Sequence, residues 1–178
     1  MADTPAKKTI DEAKVDLKAL LADLDLEEVK EFDEKEFWGF WVNFGSYPIL
    51  IENQKGTAFC VVAFQITLPP GEPVAKLNEL YAKNDFKFIF ELFSAFSSPV
   101  TGFSRIFEGD KVVGFTVSKY IYPFHAGFSI RHLDEALQAV TSSGAMGVIF
   151  LKSLLGEWKE EEKTLKELGR SEPGPMYE

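Results

Sequence analysis

Residues 37–44, Phe-Trp-Gly-Phe-Trp-Val-Asn-Phe, constrain this chain more than any other stretch. Bulky aromatics around an internal glycine favour a strand over a helix. On a strand, Trp38, Phe40, Val42 and Phe44 share one face, while Phe37 and Trp41 point to the other. Both faces are therefore apolar, unlike a sheet with one wet side. If one face takes a layer of helices, the second must meet another helix, a partner subunit or a bound chain.

The rest of the chain is read around that strand. Ile10, Ala13, Leu17, Leu20, Leu21 and Leu24 recur at spacings of three and four, an amphipathic helix. Thr9 and Glu12 have the spacing of a capping box at its start. Asp25 to Glu36 repeats an acidic pattern around Leu26, Val29 and Phe32 and reads as a further helical turn or two. After the aromatic strand, Tyr47–Ile51 and Ala58–Ile66 are apolar runs, separated by a turn at Asn53-Gln54-Lys55-Gly56. The three strands form a meander. Leu68-Pro69-Pro70-Gly71 then breaks the chain.

Val74, Leu77, Leu80 and Tyr81 form a helical stripe, followed by Phe86, Ile89, Phe90, Phe93 and Phe96. The pattern leaves one bent helix or two, with the break at Asn84-Asp85, and the second stripe is assigned to the core. Strands at Thr101–Phe107 and Lys111–Tyr120 are joined by the hairpin connector Glu108-Gly109-Asp110. Ser129 can cap a last helix with stripe Ile130, Leu133, Leu137 and Val140, and Ser142 to Gly147 lowers helix propensity after it, marking either a close helix crossing or a break. The predicted fold class is α+β, a two-layer domain with an antiparallel sheet: helix, three-strand meander, helix, two strands, helix. Its expected limits are a lead at 1–9, one domain at 10–160 and an acidic tail at 161–178.

Charge narrows the partners. Residues 1–36 hold twelve acids and six bases, and residues 157–178 hold seven acids and four bases. The section between them is neutral, within a formal net charge of −9. Neither nucleic acid nor an anionic membrane finds the basic surface it needs. No 18-residue apolar run offers a membrane span, and no apolar signal core stands at the N-terminus. With a single cysteine, Cys60, the chain is read as cytoplasmic.

Catalytic signals are sparse. His125 and His132 are seven residues apart and lack the short spacing of metal ligands. Cys60 lies in an apolar run and reads as a small buried hydrophobe. No nucleophile elbow or phosphate-binding loop occurs. The reading therefore leans away from an enzyme and names no catalytic residue, cofactor or metal. Arg105 is the charge of most interest: it shares a strand face with Phe103 and Phe107, where it can form an ion pair or stack.

Three stretches carry a resemblance. They are Phe40-Trp41-Val42-Asn43-Phe44 through Tyr47-Pro48-Ile49-Leu50-Ile51; Ser104 to Val113, a strand turning back on itself; and Gly127 to Leu137, a helix entered from a loop. Their order resembles the YbjN family and the wider group of type III secretion chaperone-like domains, over roughly residues 10 to 158. The resemblance implies protein binding and a small acidic homodimer, and it transfers no catalytic residue.

The leading expectation is a non-catalytic protein-interaction domain, a homodimer that binds a protein or peptide through an apolar aromatic surface. Its expected binding residues are Trp38, Trp41, Phe44 and Arg105. One alternative is a binding protein or enzyme for an apolar small molecule, with a pocket between sheet and helices and Arg105, Tyr120, His125 or His132 as polar anchors. Another is a purely structural oligomer.

Overall fold

The computed structural model describes residues 8–26 and 28–157. The expected acidic tail, most of the lead and Trp158 lie outside the described residues. The element order is α1 (Ile10–Asp23), β1 (Val29–Asp33), β2 (Phe37–Phe44), β3 (Tyr47–Gln54), β4 (Cys60–Thr67), α2 (Glu72–Ala82), α3 (Phe86–Phe96), β5 (Gly102–Glu108), β6 (Lys111–Ile121) and α4 (Ile130–Leu155). The strands form an antiparallel sheet in the order β1-β2-β3-β4-β6-β5. This is the predicted α+β class. The chain divides into two compact units, Met1–Phe64 with Ser118–Thr141, and Gln65–Val117 with Ser142–Glu178.

In the first unit, α1 starts as its sequence requires. The Thr9 side chain accepts from the Glu12 N–H, and the Glu12 carboxylate accepts from the Thr9 N–H at 2.7 Å. Those bonds hold the Glu12 carboxyl below the ordinary carboxylate range, the backbone bond from Thr9 contributing most. Ala13, Leu17 and Leu21 are buried along one stripe.

The segment expected to continue as helix is instead β1. Asp25, at φ 52°, turns the chain, and Val29–Asp33 pairs antiparallel with β2. The register sets Glu31 opposite Phe40 and Asp33 opposite Trp38. Lys18 of α1 reaches Glu31 at 2.7 Å, and Lys14 and Lys55 both pair with Asp33. A long-range ladder and cross-element ion pairs override the local acidic pattern.

In the second unit, α2 and α3 are separate helices, divided at Asn84, whose φ is 53°. Asp85 caps α3 by accepting from the Lys87 N–H at 2.8 Å. The Asn78 side chain ties α2 to β6, accepting from the Val112 N–H and donating to the Val112 carbonyl, each at 2.9 Å. The last helix runs unbroken through Ser142 to Gly147, where the sequence left either a close helix crossing or a break. Gly147 is a packing feature: a Cβ there would overlap the Phe96 ring. The small residue lets an aromatic side chain approach the helix closely.

Candidate functional site

The four expected binding residues fall in different surroundings. Trp38 is 1% exposed, with the Lys14 ammonium 5.5 Å from its ring centroid and Phe40 and Phe124 edge-on. It is a core residue beneath α1. Phe44, on the same strand face, is half-buried opposite Tyr47. Trp41 lies on the other face, half-buried with Phe32 and Phe59 around Leu50, Val61 and Ala63. Tyr120 extends that cluster, its ring 5.0 Å from Phe59. This second apolar face is built from strand and adjacent turn residues.

Arg105 belongs to the second unit. Its guanidinium lies 5.2 Å from the Phe107 ring centroid and 5.6 Å from that of Tyr81. Among the described residues no carboxylate forms a salt bridge with it. Stacking thus takes the place of the ion pair, because its two strand neighbours and α2 offer rings. Burial pushes the Tyr81 hydroxyl up to about 12, and the nearby guanidinium only partly offsets that.

The second unit also holds what the sequence reading missed. Of the α3 aromatics, Phe88 and Phe96 are buried with Leu92, whereas Phe86, Phe90 and Phe93 are 84%, 70% and 56% exposed. The stripe assigned to the core is therefore largely the outer one. A signal was present: Phe86, Phe88 and Phe90 are spaced by two, and residues two apart on a helix do not share a face. One face of an eleven-residue helix cannot bury all of them.

The exposed rings continue onto β5. Phe93 meets Phe103 edge-on at 5.7 Å, and Phe103 stacks on Phe96 at 5.6 Å. Phe107, 54% exposed, and Arg105 extend the same strand face. Between Phe90, Phe93 and Phe103 opens a groove of about 600 Å³, bordered by Ser97, Ser98 and Thr101. The rim is held by hydroxyls: Ser98 and Thr101 are 2.7 Å apart, and Thr101 lies 3.3 Å from Ser143 of α4.

Among the described residues nothing comparable assembles for chemistry. The Nδ1 of His125 accepts from the Gly127 N–H, and that of His132 from the Ser129 N–H, both at 3.2 Å, so each ring serves its own loop. Burial pushes the Cys60 thiol up, opposite to an activated nucleophile. Among the described residues no group of three or more His, Cys, Asp or Glu could hold a metal ion. None of their helices is long and apolar enough to cross a membrane.

No family model and no curated protein matches the chain. Solved structures do. An uncharacterized protein from Methanothermobacter thermautotrophicus superimposes with a TM-score of 0.66 at 16% identity, covering 81% of this chain and 99% of that one. YbjN, a candidate transcription regulator from E. coli, superimposes with a TM-score of 0.51 at 10% identity, covering 84% of this chain and 96% of that one. At such identities the likeness is one of fold. It is a distant resemblance to YbjN.

Proposed function

We propose that this chain is a non-catalytic protein-interaction domain that binds a protein or peptide through the aromatic surface of α3 and β5. One observation carries the reading: Phe86, Phe90 and Phe93 stand exposed on a helix that buries Phe88, Leu92 and Phe96 on its other side. Exposed contiguous aromatic surface is costly in water and marks interaction sites. Aromatic and arginine side chains are the usual anchors of such interfaces, and Arg105 lies among them. Trp41, with its cluster on the sheet, is a second contact region, and Phe44 is a marginal one. Trp38 acts by supporting β2 from within.

The YbjN-like fold supports a chaperone-like or adaptor role more than a reaction. YbjN's description concerns transcription, but the neutral charge of residues 37–156 supports contact with protein over direct contact with DNA. A cytoplasmic, homodimeric protein is part of the same reading.

Quantitative affinity capture from the native cell tests it, with the wild-type chain compared against Phe90→Asp. The reading expects specific partners that the wild type retains and the variant loses. Identical captures by both chains would overturn it.

A further inference from the structure

The aromatic surface lies beside the sheet edge that carries least to repel another strand. Strand order leaves β1 and β5 at the two edges. β1 is five residues long, and three of them, Lys30, Glu31 and Asp33, are charged, with Glu31 and Asp33 bound to lysines. Short, charged edges discourage pairing. β5 is seven residues, Gly-Phe-Ser-Arg-Ile-Phe-Glu, with no proline or lysine. Such an edge is open to strand addition.

Alternation along β5 sets what an added strand meets. Phe103, Arg105 and Phe107 share one face, and Ser104 and Ile106 the other. On the first face Phe103 stacks on Phe96 of α3, and the Arg105 guanidinium lies over the rings of Tyr81 and Phe107. The order is ring, cation, ring. The cation is not neutralised, since among the described residues no carboxylate forms a salt bridge with it. The acids of α3 and its cap are engaged elsewhere: Asp85 accepts from the Lys87 and Phe88 N–H groups, and Glu91 pairs with Lys87 at 3.8 Å. In a chain of net charge −9, residues 86–107 hold two bases, Lys87 and Arg105, against one acid, Glu91.

Resting on the interaction reading above, the geometry points to an extended acidic segment of another protein as the occupant of this surface. The segment adds to β5 as a strand and carries an Asp or Glu with a large apolar residue two positions away on each side. Residues directly opposite on paired strands share a face, so the acid meets Arg105 and the apolar side chains meet Phe103 and Phe107. The pattern apolar-x-acid-x-apolar reads the same in both directions, so parallel and antiparallel addition both satisfy it. The side chain opposite Phe103 enters the groove of about 600 Å³ that Phe90 and Phe93 also line. The intervening residues fall opposite Ser104 and Ile106 and carry no requirement.

An array of short capped peptides built on Phe-Thr-Asp-Thr-Phe, with the two flanking rings varied over Tyr, Trp, Leu and Ile, tests the proposal on the full chain. Fluorescence polarisation should find members that bind with a Kd below about 100 μM. Replacing the central Asp by Asn should weaken the best member about two- to fivefold, as for an exposed opposite-charge pair. Shifting the acid by one position, to Phe-Asp-Thr-Thr-Phe, should do the same, because it turns the carboxylate to the other face. Arg105→Gln should make the Asp and Asn peptides equal, and Phe90→Asp should weaken every member. Amide hydrogen exchange should slow along Gly102–Glu108 on saturation and stay unchanged along Val29–Asp33.

No array member bound at about 1 mM overturns the proposal. So does binding indifferent to the exchange of Asp for Asn, a comparison that needs no variant of the chain. Binding that leaves exchange along β5 unchanged overturns it as well, and so does a chain already paired through β5 with a second copy that the peptides do not displace. If the peptides fail while the wild type still captures partners that Phe90→Asp loses, only the acidic segment is wrong and the interaction reading stands. Binding to zwitterionic vesicles that Phe90→Asp abolishes, with identical protein captures by both chains, would assign the surface to lipid and overturn both.

Discussion

Two helices, one from each unit, show what distinguishes a structural surface from an interacting one. α1 buries Ala13, Leu17 and Leu21 and turns lysines and acids outward, with Val15 its one large exposed apolar side chain. α3 buries Phe88, Leu92 and Phe96 in the same manner but turns Phe86, Phe90 and Phe93 outward. The inner stripes do the same work. The outer faces differ because α1 is tied to β1 by Lys14–Asp33 and Lys18–Glu31, whereas α3 carries rings that no folding requirement explains.

Substitutions within α3 give the sharpest test of that contrast. Phe96→Ala should cost about 3–5 kcal/mol, since the ring fills the space beside Gly147 and stacks near Phe115. Phe90→Ala should change stability by no more than about 0.5 kcal/mol. Urea denaturation of the two variants under identical conditions decides it, and equal losses would erase the distinction between the faces.

The helix start gives a smaller effect. Thr9→Ala removes the capping box of α1 and should cost about 1 kcal/mol, seen as a shift of the denaturation midpoint without a change of slope.

Acid gives the smallest. The Lys14 ammonium, and then that of Lys55, hold the Asp33 carboxyl below the ordinary carboxylate range. A depressed folded value means that the contribution is present above the unfolded carboxylate range and is lost as pH falls through the folded value. Asp33→Asn should therefore lower stability slightly at neutral pH, leave it unchanged at pH below the folded value, and so flatten part of the acid limb of a stability profile. The same substitution should leave the partner capture attributed to α3 and β5 untouched.

The legible parts of the fold are those governed by local chemistry. The Thr9–Glu12 box, the aromatic strand, the Asn53–Gly56 turn, the Asn84-Asp85 break and the Glu108-Gly109-Asp110 hairpin each depend on residues within a few positions. The failures depend on distant partners. β1 exists because β2 offers a ladder and α1 offers lysines, and the choice between a close crossing and a break at Ser142 to Gly147 turned on the Phe96 ring seated at Gly147. Arg105 stands out in the sequence as a charge inside an apolar strand, but its stacking on Tyr81 required α2 to arrive from elsewhere.

The candidate surface follows the same division. Its excess of aromatic side chains could be counted in the sequence, and so could the neutrality of the section that holds it. Which rings face water could not be, because on α3 two opposite stripes are almost equally apolar and periodicity alone does not choose between them. Packing chose: Phe96 fits against Phe103, Phe115 and Gly147, which turns Phe88 and Leu92 inward with it and leaves Phe86, Phe90 and Phe93 outside. Composition and spacing determined the α+β class and the surplus of rings; only the tertiary structure decided where that surplus lies, since burial depends on what stands opposite.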